Sequence, residues 1–289
     1  MLTIKTWRDP YESGFSPTRP LEITFEEGLT VLVGCNGAGK TTLLHNIKEE
    51  MKKQGVPCNL YDNLKDGGDN SISEAMFSGE MDLGISLWTA SEGEAIKINF
   101  DRSSSKIKRF LKDGFYDTRS NRLAKLFNKD EDNKEVGNQR VLLFDAVDSG
   151  LSVDSIVEVK KVFNLILEDA KQMDLEIYII ISANEYELAR HSNCFDVNKG
   201  KYIKFKDYED YRAFIIKSRE AKEKRIEKQK VWFENKRKKE EEALAKRKAK
   251  YEPLIQEIKD KASKEDRELT WREKDKIYEY ERIIKEGHI

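Results

Sequence analysis

Short apolar runs and helical patterns alternate along the first two thirds of the chain. Four runs rich in β-branched residues predict strands, at 21–25, 29–33, 141–144 and 175–182. The stretches 40–51 and 152–170 follow or precede these runs and predict helices. Strands alternating with helices indicate an α/β sandwich around a parallel sheet, in which ligands bind at the carboxyl ends of the strands.

The pattern changes after residue 206. No glycine or proline occurs between 207 and 251, and the residues are good helix formers, so we predict one long helix that Pro253 ends. A shorter helix is expected next, and Thr270 with Glu273 forms a capping box for a last helix through Lys285. We therefore predict two domains, an α/β domain at 1–206 and a charged helical extension, folded as a hairpin, at 207–289.

Charge divides the chain in the same place. Charged residues make up 37% of the sequence, and its net charge of −1 conceals about −8 in residues 1–210 and about +7 in the remainder. Residues 217–250 carry 15 Lys and Arg against 7 Asp and Glu, with Trp232 and Phe233 between them. This basic stretch could contact DNA or RNA, bind a protein partner or a second copy of the chain, or form a solvated face. The sequence does not choose among these.

The cysteines and the apolar runs indicate the compartment. The chain has three cysteines, Cys35, Cys58 and Cys194. Their odd number and the lack of closely spaced pairs argue against a disulfide framework or a four-ligand zinc site. No run of 18 apolar residues occurs, and the first residues lack the pattern of an export signal. We expect a soluble cytoplasmic protein with no membrane partner.

A glycine-rich loop follows the strand at 29–33. Residues 34–41 read G-C-N-G-A-G-K-T and satisfy G-x-x-x-x-G-K-[ST] before a predicted helix. Glycines let backbone amides turn toward phosphates, while the lysine reaches the terminal phosphates and the hydroxyl binds Mg²⁺. A glycine turn without a ligand is the structural alternative. The predicted ATP-binding residues are Gly34, Asn36, Gly37, Gly39, Lys40, Thr41 and Thr42, with Thr41 also a Mg²⁺ ligand.

The form GxNGxGKTT resembles the ATP-binding cassette superfamily of P-loop NTPases, especially its soluble chromosome-maintenance and DNA-repair heads. The resemblance implies that two copies sandwich ATP and Mg²⁺, giving a homodimer or a higher homo-oligomer. Residues 90–94, A-S-E-G-E, are similar to the family's signature loop. That similarity implies that Ser91, Gly93 and Glu94 contact the nucleotide of the opposite subunit. A serine that simply begins a helix is the alternative.

The resemblance also implies an acidic strand, with differences here. Asp145 ends the run 141–145 and would bind Mg²⁺, unless it only caps the following helix. The family's catalytic glutamate is replaced by Ala146, and Asn184 stands where a histidine usually senses the γ-phosphate. Asp148 is the nearby carboxylate that could position the attacking water instead, or it is a solvent-exposed loop residue. We therefore expect slow hydrolysis.

Three functions remain in competition. The leading hypothesis is an ATPase that dimerises around ATP, hydrolyses it slowly and engages nucleic acid or a protein partner through the basic stretch. The alternative is a scaffold or sensor that binds ATP without useful hydrolysis and assembles or restrains an effector, for example in a mobile element or a defence system. Residues 149–152, S-G-L-S, resemble the cassette family's loop that crosses the dimer interface. A phosphoryl-transfer kinase would leave this segment and the segment 90–94 without a role.

Overall fold

The computed structural model describes residues 1–7, 22–62, 82, 106–114 and 137–286. The chain divides into two compact units, Met1–Glu223 and Lys224–Ile289. The first unit contains the sheet and the beginning of a long helix, and the second is helical. The domain boundary expected after residue 206 stays a prediction.

The strands form two sheets within the described residues. An antiparallel pair consists of β1 (Leu2–Lys5) and β2 (Glu22–Phe25). The larger sheet has six strands in the order β4-β5-β6-β3-β7-β8. These strands are β3 (Gly28–Val33), β4 (Cys58–Asp62), β5 (Gln139–Asp145), β6 (Glu176–Ser182), β7 (Asn193–Asp196) and β8 (Lys201–Ile203). All neighbours are parallel except β8, which pairs antiparallel with β7.

Six helices accompany these strands in the described part of the chain. They are α1 (Lys40–Gln54), α2 (106–113), α3 (Val153–Gln172), α4 (Tyr186–Ala189), α5 (Tyr208–Lys264) and α6 (Trp271–Glu286). A mixed, mainly parallel sheet with helices and a helical C-terminal region confirms the predicted fold class. None of these helices combines the length and the apolar composition that crossing a lipid bilayer requires, as far as the described residues extend.

The central strands are buried on both faces of the sheet. Their continuous apolar sequences suit this position, since helices cover both sides of a parallel sheet. One core layer joins β5 residues Leu142 and Phe144 to Phe163 of α3. The other joins Val141 and Leu143 of the same strand to residues of α1, β1 and β2. Successive side chains of β5 therefore enter opposite core layers, and the carboxyl ends of the strands are held in a fixed array.

The long helix α5 differs from the prediction at one point. It continues through Pro253 to Lys264, so the predicted break at this proline and the separate short helix are wrong. A proline inside a helix removes one backbone hydrogen bond and costs about 3 kcal/mol. Beyond the proline, Ile255 and Ala262 are buried, as are Ile277 and Ile283 of α6. Burial of these apolar side chains offsets the local cost, so tertiary packing decides where the helix ends.

The predicted capping box is confirmed at the start of α6. Glu273 Oε2 accepts the Thr270 backbone N–H at 2.9 Å, and the Glu273 N–H donates to Thr270 Oγ1 at 3.4 Å. Along the second unit, the Tyr251 and Tyr280 rings lie 5.2 Å apart, and Arg247 Nε donates to the Ile284 carbonyl at 3.2 Å. These contacts place α6 back along the end of α5.

Candidate functional site

The glycine-rich loop connects the central strand β3 to α1, as the sequence predicts. Gly37 and Gly39 have φ angles of 77° and 103°, in the left-handed region that residues with a Cβ adopt reluctantly. Within the described ranges no side chain caps α1, and no acidic residue lies in its first turn. The amino-terminal end of this helix therefore offers partial positive charge to an anion such as a phosphate.

Lys40, the first residue of α1, is buried and directed back along the loop. Its Nζ donates to the Gly34 carbonyl at 2.8 Å and to Asn184 Oδ1 at 3.0 Å. Burial lowers the pKa of the Lys40 ammonium, whereas the nearby Asp148, Cys35 and Asp145 oppose that shift. The structure thus brings Asn184, which follows β6, directly to the lysine that the sequence assigns to phosphate binding.

Asp145 lies at the carboxyl end of β5, where the sequence places a magnesium ligand. Its Oδ1 accepts the Ser182 hydroxyl at 2.5 Å, and Ser182 Oγ accepts the Ala146 N–H at 2.8 Å. These two hydrogen bonds fix the orientation of the Asp145 carboxylate at the carboxyl end of β5. Asp145 and the hydroxyl of Thr41 supply the hard oxygen donors that Mg²⁺ prefers, so the residues present fit this ion.

Ala146 occupies an uncommon backbone conformation directly after Asp145. Its φ angle is 52°, a left-handed value that non-glycine residues seldom adopt. The methyl side chain carries no group that could take a proton. Residue 146 therefore forms a distinct turn of the backbone directly after Asp145, and its side chain cannot act as a base.

Asp148 is buried and is not the solvent-exposed loop acid of the alternative interpretation. Its Oδ2 accepts the backbone N–H groups of Asn184 and Glu185 at 2.5 and 2.7 Å. Its Oδ1 has no hydrogen-bond partner among the described residues. A buried carboxylate oxygen without a donor is costly, and a water molecule is a suitable partner for it.

Three residues of α5 reach the same region, and sequence reasoning missed all of them. Tyr211, Ser218 and Lys222 lie seven and four residues apart, a spacing that puts them on one helical face. Tyr211 Oη donates to the Asn184 carbonyl at 2.7 Å, and Ser218 Oγ accepts the Cys35 N–H at 3.0 Å. The spacing of these three residues could have indicated a shared helical face. The many charged residues between and after them made that pattern hard to recognise in the sequence.

The remaining predicted site residues divide into two groups. Asn36 and Gly37 are exposed and lie on the loop, and Thr42 is in the first turn of α1. The proposed signature residues Ser91, Gly93 and Glu94 lie outside the described residues. The structure therefore brings the glycine-rich loop and the predicted residues at the strand ends into one region, and the contribution of a second copy stays a prediction.

The basic stretch 217–250 is mostly exposed in its side chains. The rings of Trp232 and Phe233 meet edge to face at 5.0 Å, and Lys236 Nζ lies 5.3 Å from the Trp232 ring centre. Lys222 is half-buried at the glycine-rich loop, so it does not belong to the exposed basic surface. The remaining cations are arranged along one helix.

A family model described as ATPase family associated with various cellular activities (AAA) matches residues 30–196. No curated protein was found to match the chain. The family match covers the loop, Asp145, Asp148 and Asn184, but it is not a match to the cassette family, so that branch stays a prediction. Because the match spans more than half of the 289 residues, the chain belongs to the AAA family of ATPases.

Proposed function

We propose that this protein binds Mg²⁺ and ATP in the loop 34–42, dimerises around the nucleotide and hydrolyses it slowly. The family supports nucleotide-binding ATPase activity in general, and AAA ATPases commonly oligomerise. The main support for the proposal is the hydrogen bond from Lys40 to Asn184. The buried carboxylates of Asp148 and Asp145 lie near this lysine. Opposite charges and polar groups therefore lie together at the carboxyl ends of the adjacent strands β5, β6 and β3.

Lys40 would bind the terminal phosphates of ATP. To do so it exchanges at least one of its present oxygen partners, the Gly34 carbonyl or Asn184 Oδ1, for a phosphate oxygen. Burial removes water from around the Lys40 ammonium and disfavours its charge. A phosphate oxygen beside this ammonium would offset that cost with a strong charge-assisted hydrogen bond. Asn184 would then be free to contact the same phosphate through its side-chain amide. Thr41 and Asp145 would hold Mg²⁺, which neutralises phosphate charge when bound.

Asp148 is the group that we assign to the attacking water. Its Oδ1, which has no hydrogen-bond partner in the part of the chain that the structure describes, can accept a hydrogen bond from water, while the two amides on Oδ2 hold the carboxylate in one orientation. The absence of a carboxylate at Ala146 supports slow turnover, because a general base contributes about 10²- to 10⁴-fold.

Dimerisation would complete the site through Ser91, Gly93 and Glu94 of a second copy. We expect the mass in solution to double with Mg²⁺ and ATP, but not with ADP, and Lys40→Ala and Ser91→Arg each to abolish the change. Ser263→Arg, an equivalent change at an exposed position of α5, is the control that should still dimerise. An ATP response that survives Ser91→Arg would remove residues 91–94 from the interface while leaving nucleotide binding intact.

We further propose that the basic stretch binds the phosphates of a nucleic acid. The exposed cations and the aromatic pair Trp232 and Phe233 support this. Affinity of the full chain for DNA or RNA should fall about 100-fold or more between about 50 and 200 mM salt. Joint replacement of Lys236, Lys238 and Lys239 by glutamine should reduce both affinity and salt dependence. The same replacement at Lys259, Lys261 and Lys264 should do much less, and an equal loss in both variants, or no binding, would direct the search to a protein partner.

The non-hydrolysing scaffold remains the second candidate because of Ala146. In that function ATP closes the dimer and persists, so the nucleotide acts as a clamp. The two functions differ in one measurable quantity, the rate at which phosphate is released. Turnover that disappears in Lys40→Ala supports the ATPase, whereas ATP-dependent dimerisation without any phosphate release supports the scaffold.

A further inference from the structure

The first turns of α5 contact both loops of the nucleotide site. The segment 208–223 lies in the same compact unit as the sheet. Within it, Tyr211 and Ser218 are buried, although the residues around them are mostly exposed and charged. Tyr211 packs in the hydrophobic core beside the Phe205 ring. The buried hydroxyl of Ser218 has no such apolar role, so its hydrogen bonds identify what this part of the helix face holds.

Ser218 is attached to the beginning of the glycine-rich loop. Its Oγ accepts the Cys35 N–H at 3.0 Å and the Asn198 side-chain amide at 2.9 Å. Asn198 comes directly after Val197, whose N–H donates to the Val33 carbonyl at the end of β3. The serine thereby joins the loop to the chain that follows β7, and it satisfies a backbone donor that would otherwise be buried without a partner.

Lys222 covers the middle of the same loop. Its Nζ donates to the Asn36 carbonyl at 2.8 Å. A Cβ built on Gly37 would lie 2.7 Å from this Nζ, closer than real Cβ atoms approach. The lysine therefore packs on the loop where glycine leaves room for it. Its contact is with a backbone carbonyl, which fixes the direction of the following peptide group.

Tyr211 connects the helix to the other side of the site. Its Oη donates to the backbone carbonyl of Asn184, the residue whose side chain accepts from Lys40. Burial, followed by the nearby Asp148, raises the pKa of Tyr211, so the phenol keeps its proton and remains a donor. One helical face thus spans the glycine-rich loop and the loop after β6.

We propose that Ser218 and Lys222 are positioning residues of the nucleotide site, and this inference rests on the proposed function. They hold the loop 34–39 in the shape that receives phosphate, so nucleotide binding and docking of the first turns of α5 strengthen each other. Such coupling is reciprocal: a contact that favours ATP binding must itself be favoured by bound ATP. The beginning of the helical tail thereby reports whether the site is filled.

The test compares Ser218→Ala and Lys222→Met with the conservative variants Ser218→Thr and Lys222→Arg. Each of the first two should weaken binding of a non-hydrolysable ATP analogue about 5- to 10-fold, the size expected for one hydrogen bond. Lys222→Arg should restore most of the affinity because it keeps a charged donor. Arg212→Ala, at an exposed position of the same helix outside the basic stretch, is the control and should bind like the natural chain.

Hydrogen exchange supplies a second readout that a purely structural contact would not move. The analogue should slow amide exchange in residues 208–223 of the natural chain, and this protection should be reduced in Lys222→Met. If the natural chain binds the analogue through Lys40 but 208–223 shows no protection, or if all variants bind equally, the positioning role is wrong and the proposed function stands. If the natural chain binds no nucleotide, the proposed function itself fails.

Discussion

Replacement of Lys40 by alanine is expected to abolish detectable ATP hydrolysis and to weaken ATP binding about 100-fold or more. The ammonium is the buried cation of the glycine-rich loop, and it lies between the Gly34 carbonyl and Asn184. Hydrogen bonds to charged groups contribute about 1.5–3 kcal/mol each, so the loss of one or two phosphate contacts accounts for this factor. Phosphate release and equilibrium binding of a labelled nucleotide measure the two effects.

The control for Lys40→Ala is Lys48→Ala. Lys48 lies on the exposed face of the same helix, and its replacement by alanine removes the same charge. This variant should therefore bind and hydrolyse ATP as the natural chain does. Lys40→Ala should also stay folded, because the charge that it removes is one that burial disfavours. Circular dichroism checks this point, and an active Lys40→Ala would mean that the loop is not the catalytic nucleotide site.

Introduction of a carboxylate in Ala146→Glu should increase turnover about 100-fold or more, if the proposed function is taken as the starting point. The backbone at 146 already has a left-handed φ of 52°, so glutamate would take the place of another residue with a Cβ and add little strain. Position 146 directly follows Asp145, so the added carboxylate begins beside the proposed magnesium ligand. A general base contributes about 10²- to 10⁴-fold, and the measured quantity is kcat with ATP.

Ala146→Gln separates base catalysis from a change in size. Glutamine has the shape of glutamate but cannot accept a proton, so its turnover should remain close to that of the natural chain. The double variant of Lys40→Ala with Ala146→Glu should be inactive, which links the gain to this site. Equal turnover in the Glu and Gln variants would show that Ala146 is not what limits the rate.

The sequence predicted the parts of the fold that depend on local patterns. Continuous apolar runs identified β3, β5 and β6, because strands buried on both faces need apolar side chains on both. The loop motif located Lys40, and the capping box located the start of α6. The strand at 58–62 was missed because its sequence, C-N-L-Y-D, is short and half polar, as suits a strand at the edge of a sheet.

The contacts that the sequence did not predict are set by tertiary structure. The helix continues through Pro253 because apolar side chains are buried beyond it, which local propensity does not reveal. The hydrogen bonds of Ser218 and Lys222 to the glycine-rich loop join residues more than 180 positions apart. Asp148 was recognised as a candidate by its nearness to Ala146. The burial of its Oδ1, without a hydrogen-bond partner among the residues described, is a property of the folded chain alone.

Calorimetric titration of the full chain with ATP in the presence of Mg²⁺ tests the central claim most directly. The claim is that the loop 34–42, with Asp145 at the carboxyl end of β5, forms a site for magnesium and ATP. We predict saturable binding of one nucleotide per chain, weakened when Mg²⁺ is removed and lost in Lys40→Ala but not in Lys48→Ala. A folded natural chain that shows no saturable heat, or binding that is unchanged in Lys40→Ala, would contradict the account.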